Sequence, residues 1–135
     1  MSGEKSLSKL LSGMKPELND GDYVFCTLEP GTRLEAEVLG SFREKEGLTV
    51  ILERSQAEAL GLQYSYVAAW ITLTIHSALE AVGLTAAFAT ALGNAGISCN
   101  VIAAYYHDHI FVAKADAQRA VEVLEALGRS GLAPR

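Results

Sequence analysis

Apolar and polar positions follow their clearest pattern between Ile71 and Lys114, where the order reads strand, helix, strand, tight turn, strand. Ile71, Leu73 and Ile75 alternate with Trp70, Thr72, Thr74 and His76, the period of two that gives a strand two unlike faces. The first set should lie under helices. The second set faces away from them, and a tryptophan there implies that this side is covered in part, by a fused half, a second chain or both. A helix is expected from about Gly83 to Ala95, capped by Gly96, then a strand at Ile97–Ile102, a turn at Tyr105–His109 and a strand at Ile110–Val112. A last helix, Ala115 to Leu127 and ending at Gly128, gathers Ala117, Ala120, Val121, Leu124 and Leu127 on one face.

The first part of the chain carries a sparser version of the same outline. Ser6–Leu11 has leucines at helical spacing and should stop near Gly13 and Pro16. Asn19-Asp20-Gly21 is a turn signal, Tyr23–Leu28 a buried strand, and Pro30-Gly31 its stop. Ala36–Arg43 and Leu48–Leu52 flank Lys45-Glu46-Gly47 as a hairpin, with Gly47 expected at a positive φ. A short helix from Ser55, its N-cap, should end at Leu60-Gly61. The two parts read as similar units in series, joined near Gln63-Tyr64-Ser65, the first lacking most of one helix.

Bulk properties narrow the class. A chain of 135 residues, 50% hydrophobic and 20% charged, can fold on its own core without a metal or disulfide. A net charge of −5 and the scatter of the eleven Lys and Arg residues argue against nucleic acid as a partner. The start lacks the basic and apolar regions of a secretory leader, and the longest apolar runs are too short to span a bilayer, so a cytoplasmic location is expected and no membrane partner. Cys26 and Cys99 sit in apolar strand sequences, where cysteine acts as a small buried hydrophobe rather than a disulfide partner.

Topology then decides which polar residues can meet. In a βαββ unit the first two strands are parallel and the third lies between them, antiparallel to both. His76-Ser77 and His107-Asp108-His109 therefore belong at one end of the sheet, together with the start of the helix near Gly83. Three readings fit this edge. The histidines with Asp108 or Glu80 have the atom types of a metal site but no Cys/His framework. A His–Asp pair could move protons, but no nucleophile motif or phosphate loop accompanies it. As strand-end residues they are satisfied by local hydrogen bonds. Gly83 suits close backbone approach to a ligand or simply a helix start, and Asn100, an uncommon strand residue, suits a ligand contact or an edge irregularity. Tyr105 and Tyr106 read as packing residues.

With these segments in view, the chain resembles the ACT-domain superfamily, and within it the small bacterial tandem ACT-like proteins of unknown function. The likeness is carried by Gly21–Phe25, Glu46–Thr49, Thr74–Thr85 and Gly96–Asn100 through Tyr105–Val112. It implies an α+β fold of two ferredoxin-like βαββαβ units, 1–65 and 66–135, the N-terminal one incomplete. It further implies a non-enzymatic regulatory protein without cofactor or metal, a homodimer, binding an amino acid or similar metabolite. The loop after the first strand and the facing second strand of such a unit form the pocket. Here that means His76, Ser77, Leu79, Glu80, Val82, Gly83, Leu84 and Asn100, with His107, Asp108 and His109 beside them. The alternatives are an interaction module that has lost its ligand and a metal-dependent enzyme at the His76, His107 and His109 edge.

Overall fold

The computed structural model describes residues 7–74 and 83–130. Along the chain run α1 (Leu7–Ser12), β1 (Lys15–Leu18), β2 (Tyr23–Leu28), β3 (Gly40–Arg43), β4 (Leu48–Glu53), α2 (Arg54–Ala59) and β5 (Val67–Thr74). There follow α3 (Leu84–Asn94), β6 (Cys99–Ala103), β7 (Asp108–Ala113), a 3-10 turn at Lys114–Asp116 and α4 (Ala117–Ser130).

All seven strands of the described residues join one sheet in the order β3-β4-β2-β5-β7-β6, with β1 also paired to β5. The order is symmetric about the β2–β5 junction, so β3-β4-β2 and β6-β7-β5 are two copies of one arrangement. As expected, β7 lies between β5 and β6 and is antiparallel to both. Residues 29–39 occupy the place that α3 holds in the second copy, without forming a helix. The β2–β5 junction is short, pairing Tyr23 with Ala68 and Val24 with Val67. Beyond it β1 takes over, from Leu18 opposite Ile71 to Lys15 opposite Thr74.

The helices cover one side of the sheet. Ile71 and Leu73 are fully buried there with Phe88 and Leu92 of α3, Ile110 and Val112 of β7, Ala120 and Leu124 of α4, and Leu11 of α1. Burying side chains of this size contributes roughly 1.5–3 kcal/mol each, which is why α1 docks on α4 despite having only six residues. A separate cluster of Val24, Cys26, Leu28, Val50, Leu52 and Ala57 fills the first unit beneath α2. A third, of Tyr23, Ile51, Ala68 and Phe111, lies on the side without helices and draws on both units. Between the units Asp22 accepts a hydrogen bond from Lys114 Nζ at 2.9 Å, and within its own unit it approaches Arg54 at 3.7 Å. The Lys114 hydrogen bond holds the Asp22 carboxyl below its usual range.

Several local expectations are corrected. Only Gly40–Arg43 of the Ala36–Arg43 stretch pairs as a strand. The second helix starts at Arg54, and no side chain caps it, so Ser55 lies inside the helix rather than at its cap. Gly47 does not adopt a positive φ. It is glycine because a Cβ would stand 2.4 Å from the Leu28 carbonyl oxygen. Gly128 does not end α4, which runs on to Ser130. A Cβ at Gly128 would lie 3.1 Å from the Leu11 carbonyl oxygen, so the missing side chain lets α1 approach.

Candidate functional site

The β6–β7 hairpin forms one end of the sheet, closed by the Ala104 N–H donating to the His107 carbonyl at 3.0 Å. Leu73 of β5 pairs with Asp108, so the C-terminal end of β5 arrives at this hairpin, as its topology requires. His76, Ser77, Leu79, Glu80 and Val82 lie outside the described residues. Gly83 stands at the N-cap of α3 with φ +88° and accepts the Ala87 N–H at 2.9 Å. The left-handed backbone alone accounts for glycine here. Leu84 is buried in the helix-side core, and Asn100 is exposed on β6 opposite Phe111.

Register separates the hairpin's polar residues. Asp108 pairs with Leu73, a helix-side residue, whereas His109 pairs with Thr72 on the other side. Asp108 and His109 thus point to opposite faces and do not form a proton-relay pair. Burial pushes the Asp108 carboxyl up, against the lowering effect of His107. His107 is half-buried, and its Nδ1 is enclosed without a hydrogen-bond partner among the described residues.

His109 belongs to a network that the strand pattern does not announce. Trp70 Nε1 donates to His109 Nδ1 at 3.0 Å, and Thr72 Oγ1 lies 3.3 Å from the same nitrogen. Asn19 Nδ2 donates to Thr72 Oγ1 at 3.0 Å and to the Trp70 carbonyl at 3.2 Å. Indole N–H can only donate, so His109 Nδ1 must accept and the ring proton sits on Nε2. Burial, then the charge of His107, lowers the His109 pKa, which agrees with a neutral ring. Tyr23 packs edge-on against Trp70 at 5.4 Å, and Phe25 against Phe111 at 5.5 Å. The cover expected over Trp70 is therefore supplied in part by its own chain, through Tyr23 and His109.

Beside this network is a cavity of about 170 Å³ on the side of the sheet without helices. Leu39, Gly40 and Ile51 of the first unit form one wall; Trp70, Ile102, Ala104, His109 and Phe111 of the second form the other. The sequence hints at it only through Trp70 and Thr72 on one strand face. Asn19 reaches the site by bonding residues 51 and 53 positions away, and Leu39, Gly40 and Ile51 reach it through the strand order of the sheet, which no local pattern encodes.

Among the described residues, no group of three His, Cys, Asp or Glu side chains is placed to hold a metal ion. Both cysteines are free, in different apolar clusters, and burial raises both thiol pKa values. No helix among the described residues is long and apolar enough to cross a membrane.

Comparison with known proteins gives this architecture a family. ACT-domain profiles match residues 2–69 and 65–126. No curated protein matches the chain. A Vibrio cholerae protein of unknown function, VC0802, described as a possible transport protein, is 55% identical, with a TM-score of 0.84 over 92% of this chain and 97% of that one. Aspartate kinase from Clostridium acetobutylicum superposes with a TM-score of 0.65 at 8% identity, over 84% of this chain and 34% of the enzyme. A proposed C-terminal regulatory domain of aspartate kinase from Porphyromonas gingivalis gives 0.57 at 14% identity, over 84% and 95%. The last two likenesses are of fold alone. Two profile matches in series on two copies of one strand arrangement make this chain a tandem member of the ACT-domain family, a class of typically regulatory, small-ligand-binding modules.

Proposed function

We propose that the chain is a non-enzymatic regulatory protein of the cytoplasm, built of units 1–65 and 66–135, that binds an amino acid and acts as a homodimer. The observation that carries this reading is the side-by-side placement, in one continuous sheet, of two units that match a family of typically small-ligand-binding modules. The aspartate kinase likenesses support an amino-acid ligand by analogy of fold. The proposed ligand site lies at the hairpin end, from His76 through Leu84 with Asn100 and His107 to His109. The proposed dimer contact is the outer part of the side without helices, at β3, where Phe42 is 72% exposed.

A thermal-shift screen against the proteinogenic amino acids tests the reading, because a ligand that binds only the native state adds about 2.7 kcal/mol at a hundredfold excess over its Kd. One amino acid should raise Tm, Asn100→Leu should remove the rise, and a chelator should leave it unchanged. Loss of the rise with chelator would favour a metal-dependent activity at the histidines. No rise with any amino acid would favour the interaction module.

A further inference from the structure

We infer that the cavity between Gly40 and His109 is a second binding site, for a compact uncharged molecule that combines a benzene-sized or branched apolar group with one hydrogen-bond acceptor. It lies on the side of the sheet away from α3 and shares only His109 with the proposed amino-acid site.

Size sets the first limit. The cleft, open to solvent beside Leu39 and Ile102, holds about 170 Å³, room for a benzene-sized group and short of the ~300 Å³ at which sites for larger ligands begin. Chemistry sets the second. The walls are apolar apart from Trp70 and His109, and the Trp70 N–H is already spent on His109 Nδ1. That bond and Thr72 leave His109 Nε2–H as a donor without a partner among the described residues. The wall therefore offers one donor in a fixed tautomer and no carboxylate to receive an ammonium group. Glu17, opposite Thr72 in the same cross-strand row as His109, disfavours an anion.

Gly40 supplies an independent argument. It is the first residue of β3, its φ is not in the left-handed region, and a Cβ there would meet nothing closer than Ile51 Cδ1 at 3.8 Å. Neither backbone conformation nor neighbouring atoms require glycine at this position. A strand glycine with room around it is what close approach of a ligand needs, and a larger side chain at Gly40 would grow into the cavity.

Trp70 is the only tryptophan of the chain, so its indole N–H gives a single resonance at the cavity wall. Benzyl alcohol titrated into the ¹⁵N-labelled full chain should shift that resonance saturably. Benzene, which lacks the acceptor, should bind about three- to tenfold more weakly, the loss expected for one neutral hydrogen bond. Benzylammonium and benzoate should bind more weakly still. Gly40→Val should abolish the benzyl alcohol shift while keeping the fold, judged by circular dichroism and Tm, and keeping any thermal shift produced by an amino acid. An indole resonance unmoved by benzyl alcohol, or equal shifts in wild type and Gly40→Val, would overturn the site. So would a resonance that moves with protein concentration alone as copies pair, with pairing lost in Gly40→Val, because a second copy would then occupy the cavity. Failure of these arms leaves the amino-acid screen untouched, since that response is read through Asn100.

Discussion

Replacing Gly47 with alanine adds one methyl group at a place where the chain has no room for it. The new Cβ would lie 2.4 Å from the Leu28 carbonyl oxygen, 3.0 Å from Thr27 Oγ1 and 3.4 Å from the Leu28 carbonyl carbon. The threonine hydroxyl can rotate away, but the carbonyl belongs to the β2 backbone, whose terminal residue pairs with Leu48 next to the substitution. Relief requires the end of β2 to move by about an ångström relative to the β3–β4 turn. Overpacking of this kind costs roughly 1–3 kcal/mol. Breaking the terminal Leu28–Leu48 pairing adds about 0.5–1.5 kcal/mol, which puts the total between about 1.5 and 4.5 kcal/mol, with about 2–4 kcal/mol as its central range. With an unfolding entropy near 2.1 cal/mol/K per residue, that corresponds to a fall in Tm of roughly 7–14 °C. Gly93→Ala is the control: Gly93 lies inside α3 with nothing within 4 Å of an added Cβ, so the same change should stabilise by about 0.5–1 kcal/mol. Urea unfolding followed by circular dichroism, with equal m-values, reads both. A Gly47→Ala protein within 0.5 kcal/mol of wild type would show that steric contact with Leu28 is not why glycine stands there.

Two further outcomes follow from the backbone and from the buried imidazole. Gly83→Ala should cost about 1–2 kcal/mol, because φ +88° is a left-handed conformation that a Cβ opposes; stability equal to wild type in urea would mean that the start of α3 relaxes freely. His109 has a folded pKa below its ordinary 6.5, so the unfolded chain takes up its proton first. Its contribution is complete above pH 6.5 and is lost as the pH falls through the lower folded value. Tm should therefore decline on acidification from neutrality, and His109→Gln should flatten that decline. The groups around it are His107, Asp108, and Glu17 and Lys15 of β1 by register. Asp108, raised by burial, acts in the opposite sense nearer its own pKa, so a decline that persists unchanged in His109→Gln would assign the effect to another group.

What could be read in the sequence was what local chemistry writes there. Tyr23–Leu28 is a strand with the bounds expected of it, and the alternation at Trp70–Thr74 places Ile71 and Leu73 under the helices and Trp70 and Thr72 opposite. The strand order of the second unit follows from connection rules alone. β1 was missed because four residues with a proline and a glutamate carry no strand signature; pairing with β5 makes them a strand. Gly47 and Gly128 read locally as a turn and a cap because those are the commonest uses of glycine. Their real constraint is a carbonyl oxygen 19 residues away in one case and 117 in the other. The Trp70–His109 bond joins residues 39 apart, so its existence depends on the β5–β7 register rather than on either neighbourhood.

The short β2–β5 junction also sets how the protein comes apart. Only two residue pairs join these central strands, and the helix-side clusters of the two units are separate. One core is therefore held by β2, β4 and α2, and the other by β5, β7, α3 and α4 together with Leu11 and Met14 from the start of the chain, while Tyr23, Ile51, Ala68 and Phe111 bridge them from the opposite side. Separate cores of this kind behave as distinct opening units in native-state hydrogen exchange. The aromatic bridge is then the hinge pin of the molecule, and what tightens or loosens it decides whether the halves breathe together or apart.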